Sequence, residues 1–294
     1  MKSTVTASTP AFVGIGIAKS GTSWLDAMLR LHPDIWMPPV KELHFFDDYF
    51  LRVRNGDPSR YFSSDAYSRN RWRRYLKTEI KRALRYPHPN NIAWAARFLM
   101  QRRGFDQYRS LFSPGRGRIC GEVTPAYAVL PRKCIDEIRA EFPHLRLVIL
   151  LRNPVERAWS HAKMELAGRQ RRGVDEVGPA EIEALLFNNP GMAGRGEYAQ
   201  ILRNWIGAFG LGNLHVAFYD DVRDAPLRLL QEIFEFIGVD PNQADRLPVN
   251  KVVFPGRKGE IPLNVRERLQ AHFRPRVHEL AELLDRPELV EMWA

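Results

Sequence analysis

Four short apolar runs, Phe12–Ala18, Ile119–Val123, Leu145–Leu151 and Leu214–Phe218, are separated by helical patterns. Runs of this length without polar alternation fit strands buried on both faces, as in a parallel sheet covered by helices. Leu25, Met28 and Leu29 form one helical apolar face after the first run. Leu227, Leu230, Ile233, Phe234 and Ile237 form another after the last. The expected fold is therefore α/β, a mostly parallel central sheet flanked by helices. Ligands of such sheets sit beyond the carboxyl ends of the strands. Residues just after each run are thus the first place to look for chemistry.

A chain of 294 residues with 45% hydrophobic content can bury one large core, and it shows no internal repeat or low-complexity tract. A single domain over 1–294 is expected. No apolar run approaches the roughly 20 residues of a membrane span. The first run leads straight into a Lys-Ser-Gly-Thr-Ser turn without a small-residue cleavage site. It reads as a buried strand rather than a signal peptide, so a cytoplasmic protein is expected. Cys120 and Cys134 suggest no disulfide framework, and no Cys/His cluster has metal-ligand spacing, so no metal is expected. The formal charge of +10 is concentrated. Fourteen Lys and Arg against three acids lie between Arg52 and Arg103, which leaves the rest of the chain close to neutral. This stretch, about 52–104, reads as a basic helical insertion into the α/β alternation.

Between the first run and its helix lies Gly14-Ile-Gly-Ile-Ala-Lys19-Ser20-Gly21-Thr22-Ser23-Trp24. Gly21 can take the positive φ that lets successive backbone N–H groups converge on an anion at the helix N-terminus. Lys19 adds a charge, and Thr22 and Ser23 add hydroxyls. A Walker A loop does not fit: with its Lys placed on Lys19, Val13 and Ala18 stand where both glycines belong. Alone, the turn is also an ordinary strand–helix connection.

Three further segments follow strands or their helices. In Lys41-Glu42-Leu43-His44-Phe45-Phe46-Asp47, a carboxylate stands beside a lysine and near two phenylalanines. Desolvation would raise its pKa and the cation would lower it, so the sign is open at this stage. In Arg152-Asn153-Pro154, Asn153 suits an N-cap and Pro154 the first helical position. At about 100° per residue Ser160 returns close to the face of Asn153, so Arg152 and Ser160 can share one phosphate. In Phe254-Pro255-Gly256-Arg257-Lys258-Gly259, two cations lie between glycines, which alone is a plain basic turn.

Together these residues resemble the sulfotransferases that use 3′-phosphoadenosine 5′-phosphosulfate (PAPS). The likeness covers nearly the whole chain outside the insertion. It is closest to the heparan-sulfate type (N-deacetylase/N-sulfotransferase and 3-O-sulfotransferase) and its bacterial relatives. Lys-x-Gly-Thr-Ser/Thr is similar to that family's 5′-phosphosulfate loop. The resemblance implies PAPS as co-substrate, adenosine 3′,5′-bisphosphate as product, and a P-loop-like sulfotransferase fold. It implies that Lys19, Ser20, Gly21, Thr22, Ser23 and Trp24 meet the 5′ side of the nucleotide. It places Arg152 and Ser160 on the 3′-phosphate, with Arg257, Lys258 and Gly259 closing over it. Gly196-Glu197-Tyr198 and the helix through Leu202–Trp205 would wall the nucleotide side. Glu42 is implied as general base, with Lys19 assisting, and His44 as the alternative base or an acceptor-orienting group. Lys41, Phe45, Glu122, Thr124 and Tyr127 would lie on the acceptor side. The acceptor is a hydroxyl or amine, of a glycan, lipid or small molecule, and an anionic one would suit the basic insertion.

The insertion departs from the compact relatives, because Asp47 and Glu122 are much further apart here. Trp72, Leu76, Ile80, Ala83 and Leu84 recur at helical spacing amid arginines and lysines, and an apolar run over Ile92–Met100 follows. Such helices either pack their apolar faces on the domain or form an acceptor-side lid that meets an anionic substrate or membrane surface. Two rival classes stay open. A P-loop kinase or ATPase would share the fold but lacks its glycines here. A polyanion- or nucleic-acid-binding protein would explain the basic stretch but not three phosphate-type elements at strand ends, so no nucleic acid is expected.

Overall fold

The computed structural model describes residues 9–50, 73, 77–78, 89–100, 104–167, 177–188, 194–253, 255 and 259–293. In chain order the main elements begin with β1 (Phe12–Gly16), α1 (Thr22–Leu29), β2 (Ile35–Trp36), α2 (Phe45–Asp48) and α3 (Pro89–Met100). They continue with α4 (Phe105–Ser110), β3 (Ile119–Val123), α5 (Arg132–Glu141), β4 (Arg146–Leu151), α6 (Pro154–Glu165) and α7 (Pro179–Phe187). The chain then forms α8 (Tyr198–Phe209), β5 (Leu214–Phe218), α9 (Tyr219–Asp224), α10 (Pro226–Ile237), α11 (Leu263–Leu284) and α12 (Glu288–Met292).

The five strands form one sheet in the order β2-β3-β1-β4-β5, and every pairing is parallel. All four expected runs are strands. The first ends at Gly16, and residues 17 and 18 belong to the turn beyond it. The two-residue edge strand β2 was not expected from the sequence. It is too short to show a hydrophobic pattern.

Although the strands read as continuous apolar runs, their side chains divide by the two-residue period of the pleat. Val13, Ile15, Leu147, Ile149 and Leu151 face one layer, with α2, α3, α5 and α8. Phe12, Val123, Val148 and Leu150 face the other, with α1 and α10. Each fully buried aliphatic or Phe side chain contributes about 1.5–3 kcal/mol of transfer free energy. On α10 the buried face is Leu229, Leu230, Ile233, Phe234 and Ile237. Leu227, expected in that face, is 38% exposed, and Leu229 takes its place. Pro226 starts the helix, so Leu227 lies in its first turn, before the helix settles on the sheet. Gly121 on β3 is a close-approach position: a Cβ there would lie 2.4 Å from the Phe12 ring.

Most of the expected insertion lies outside the described residues, and of the expected apolar positions 72–84 none is among them. Its described part, α3, is helical and buries Trp94, Ala95 and Phe98 while Ile92 is exposed. The Trp94 indole donates to Leu111 O at 2.8 Å, which ties α3 to the end of α4. Both cysteines are free and buried, and burial pushes the Cys120 thiol up to about 11. No described helix is long and apolar enough to cross a membrane.

Candidate active site at the carboxyl ends of β1, β3 and β4

The strand order places β1 between β3 and β4, so the connections leaving these three strands emerge side by side. This is the switch point at which open α/β sheets bind ligands. After β1 the chain turns through Lys19 and Gly21, at φ of 75° and 88°, and enters α1 at Thr22. Gly21 has the left-handed conformation that glycine adopts without steric cost. Ser20 and Thr22 are buried. The Ser20 hydroxyl has no hydrogen-bond partner among the described residues, so a buried polar atom in the turn is ready for a ligand. Trp24 turns elsewhere. Its indole donates to Val249 O at 2.8 Å and its ring belongs to the core beside α1 and α10, so it ties the turn to that layer.

The β4 segment meets this turn directly. Arg152 Nη1 donates to Lys19 O at 3.2 Å. The guanidinium also lies 4.4 Å from the centre of the Tyr219 ring and 3.7 Å from the Glu156 carboxylate. Asn153 caps α6 as expected, accepting from Val155 N at 2.9 Å and Glu156 N at 3.4 Å, and Pro154 opens the helix. Ser160 stands half-buried two turns along. Tyr198, expected as a nucleotide wall, is buried and supports Arg152 from behind: its hydroxyl donates to Arg152 O at 2.8 Å. Burial pushes Tyr198 up to about 12, so it remains a donor at any working pH. The wholly buried Arg157 hydrogen-bonds the same tyrosine, and burial lowers its pKa. Glu197 pairs with Arg276 on α11.

Of the late loop, Arg257 and Lys258 lie outside the described residues. Gly259 O accepts from Trp159 Nε1 at 3.0 Å and Lys163 Nζ at 3.1 Å. Glu156, Trp159 and Lys163 on α6, with residues 259–263 and Arg266, line a cleft of about 810 Å³. Lys163, in the last turn of α6 and with a pKa that burial lowers, therefore adds to this cleft a cation that no motif revealed.

The Lys41–Asp47 segment closes the third side. Lys41 Nζ donates to Ser23 Oγ and to Glu42 Oε1, both at 2.9 Å, so this segment is joined to the start of α1 beyond the β1 turn. Because a lysine only donates, Ser23 accepts here and keeps its own hydrogen for a further partner. Glu42 Oε2 is 3.5 Å from His44 Nε2, and His44 Nδ1 is 2.7 Å from Asp47 Oδ2. Asp47 had no assigned role in the sequence reading. Its spacing of three from His44, across the start of α2, was the available signal. The Glu42 side chain is 35% exposed and that of His44 9%, so of the two candidate bases Glu42 is the accessible one. Burial raises the Glu42 pKa, but the His44 hydrogen bond and the Lys41 and His44 charges outweigh it and hold it at about 2. Glu42 is therefore ionised at neutral pH.

Glu122, Thr124 and Tyr127 are all buried beneath the Lys41–Phe45 loop. Phe45 is buried as well, packed on Phe46, Tyr49, Phe105 and Tyr108. Tyr108 on α4, invisible as a site residue in the sequence, donates to Glu122 at 2.7 Å. Among the described residues no cluster of three or more His, Cys, Asp or Glu could hold a metal ion.

Residues 10–243 match the profile of the Sulfotransferase family. The chain belongs to that family. It is 28% identical over 151 residues to the membrane-associated sulfotransferase kil1 of Dictyostelium discoideum; the match covers 51% of this chain and 22% of that protein. The chain thus spans about a fifth of that relative's length. The sulfotransferase of Alicyclobacillus acidocaldarius superposes with a TM-score of 0.64 at 25% identity, over 97% of this chain and 98% of that one. The sulfotransferase domain of the Synechococcus PCC 7002 olefin synthase shares the fold, with a TM-score of 0.51 at 17% identity over 93% and 97% of the two chains.

The Lys41–Glu42 pair generates a pH prediction. Lys41→Met removes a charge that lowers the Glu42 pKa, so Glu42 should titrate above its present value of about 2. Carbon-detected NMR titration of the glutamate carboxyls measures this. A Glu42 signal that titrates identically in the variant would exclude Lys41 as a cause. The linked stability is present above the unfolded glutamate pKa, near 4.5, and is lost as pH falls towards 2.

Proposed function

We propose that this chain is a PAPS-dependent sulfotransferase that passes a sulfuryl group to a hydroxyl or amine. The observation that carries the reading is the joining of three separate sequence segments into one site, by Lys41 to Ser23 and by Arg152 to Lys19 O. The residues fit the donor: the turn offers backbone amides, a lysine and the buried Ser20 hydroxyl, which has no partner among the described residues, while Arg152 with Ser160 and Lys163 of α6 offers a second set of anion donors. PAPS supplies an activated sulfuryl group on a phosphate leaving group. Lys19 counters the charge that develops on the bridging oxygen. Arg152 and Ser160 hold the 3′-phosphate and fix the register of the nucleotide against the turn. Glu42 takes the acceptor's proton. With a pKa of about 2 it is a weak base in the free enzyme, so it accepts the proton late, once the acceptor's bond to sulfur has made that proton acidic. These residues act by positioning and electrostatics. Use of a glutamate, accessible beside a buried histidine, supports the heparan-sulfate-type mechanism.

The donor is tested by calorimetry. Adenosine 3′,5′-bisphosphate should bind far better than AMP or ATP, because each charge-assisted phosphate contact contributes roughly 1.5–3 kcal/mol. Equal affinity for AMP and the bisphosphate would remove the roles of Arg152 and Ser160.

The base is tested by Glu42→Gln, which keeps the shape but cannot accept the proton. Turnover should fall about 10²–10⁴-fold with nucleotide affinity near wild type. Normal turnover in this variant beside an inactive His44→Ala would transfer the role to His44.

The acceptor is a glycan, lipid or small molecule met on the side of the basic insertion, and we place the protein in the cytoplasm with peripheral contact to anionic membrane through that insertion. The exposed Ile92 beside the buried Trp94 and Phe98 on α3 gives the described part of the insertion an outer apolar residue. Reversing Arg71, Arg73 and Arg74 to Glu should weaken acceptor capture and binding to anionic liposomes while bisphosphate binding holds. In the wild type the same binding should weaken as salt rises, since screening acts over about 8 Å at physiological ionic strength. Unchanged acceptor KM and liposome binding across salt would make the insertion structural.

A further inference from the structure

Glu42 and His44 both have left-handed backbone, at φ of 60° and 50°. Residues with a Cβ disfavour this conformation, and it persists only where surrounding contacts over-determine it. Those contacts lie at the alternate residues. Leu43 N donates to Glu122 Oε2 at 3.3 Å. Phe45 N donates to the Tyr127 hydroxyl at 2.8 Å, and that hydroxyl donates on to Glu122 Oε1 at 3.0 Å. Thr124 Oγ1 donates to Glu122 Oε2 at 2.6 Å, and the Tyr108 hydroxyl donates to Oε1 at 2.7 Å. Each carboxylate oxygen thus receives two donors. Only an ionised carboxylate can accept four hydrogen bonds and donate none.

We propose that Glu122 is a positioning residue for sulfuryl transfer, which holds the amide of Leu43 directly and that of Phe45 through Tyr127 from beneath, and so turns Glu42 outwards into the site beside the buried His44. The inference rests on the reading of Glu42 as the base. Glu122 itself is 2% exposed and touches no substrate. Its mounting is rigid: Val13 pairs with Glu122 across β1 and β3, and Thr124 N donates to Gly14 O at 2.8 Å. The loop that carries the base is therefore referenced to the same central strand that leads into the phosphate turn. Burial raises the Glu122 pKa and its four donors oppose that rise, so the ionised form depends on the complete set. Tyr108 makes α4, the element that re-enters the core after the insertion, one of those donors.

The test is Glu122→Gln in the full chain. An amide group replaces one acceptor oxygen by a donor, which leaves two of the four donors facing N–H. Turnover should fall about 10–100-fold, the range expected for a misplaced catalytic group, with bisphosphate affinity and acceptor KM within about twofold of wild type. The Glu42 titration should move up as the carboxylate loses its alignment with His44 and Lys41. Amide hydrogen exchange at Leu43 and Phe45 should accelerate. Tyr127→Phe, which removes only the Phe45 acceptor and one donor, should accelerate exchange at Phe45 more than at Leu43, and decides the matter should the Glu122 variant not fold. Unchanged amide exchange and an unchanged Glu42 titration would overturn the proposal, as would equal losses in turnover and nucleotide affinity. If the wild-type protein transfers no sulfuryl group, the functional reading fails, while the exchange and titration still decide whether Glu122 sets the loop.

Discussion

The site depends on the position of β1 in the sheet. It is hydrogen-bonded to β3 on one side and β4 on the other, with all strands parallel. That pairing fixes the carboxyl ends of three strands at one level. The Lys19–Gly21 turn leaves the first, the buried Glu122 network caps the second, and Arg152 leaves the third. Remote parts of the sequence, near residues 20, 42, 122 and 152, become neighbours because these strands cannot shift register without exchanging their two buried faces.

From this frame the electrostatics follow. The site is a row of polar contacts: Lys41 beside Glu42, Glu42 beside His44, His44 beside Asp47. Each member is held by its neighbour and none is a surface pair free to swing. Around α6 cations gather instead: Arg152 just before the helix, the buried Arg157 within it and Lys163 in its last turn, with Tyr198 against both arginines and Glu156 against Arg152.

Much of this was legible in the sequence, and the gaps have physical causes. Strands buried on both faces leave uninterrupted apolar runs, so β1, β3, β4 and β5 were visible, whereas two-residue β2 leaves none. The cap at Asn153 and the turn at Gly21 carry their own local chemistry and could be read directly. The direction of the Glu42 pKa could not, because it depends on whether the His44 ring turns towards the carboxylate. Glu122, Thr124 and Tyr127 stand together in one segment of the sequence, but their burial under the Lys41–Phe45 loop depends on a backbone fold that no motif encodes. Tyr108 and Lys163 belong to no motif. They enter only because α4 and α6 fold back against the strand ends. Trp24 shows the converse: a residue inside a motif whose polar atom is used up by Val249 O in the core.

Both cysteines of the chain are buried, Cys120 under Trp36 and Gly115 and Cys134 on the inner face of α5. The Cys120 thiol is also held far from its reactive form. The native protein therefore presents almost no accessible thiolate to its surroundings. A single cysteine introduced on the exposed face of α3 or beside the α6 cleft becomes the preferred point of attachment for a fluorophore or spin label. The fold thus offers a silent background against which movements of these elements can be followed without first removing native residues.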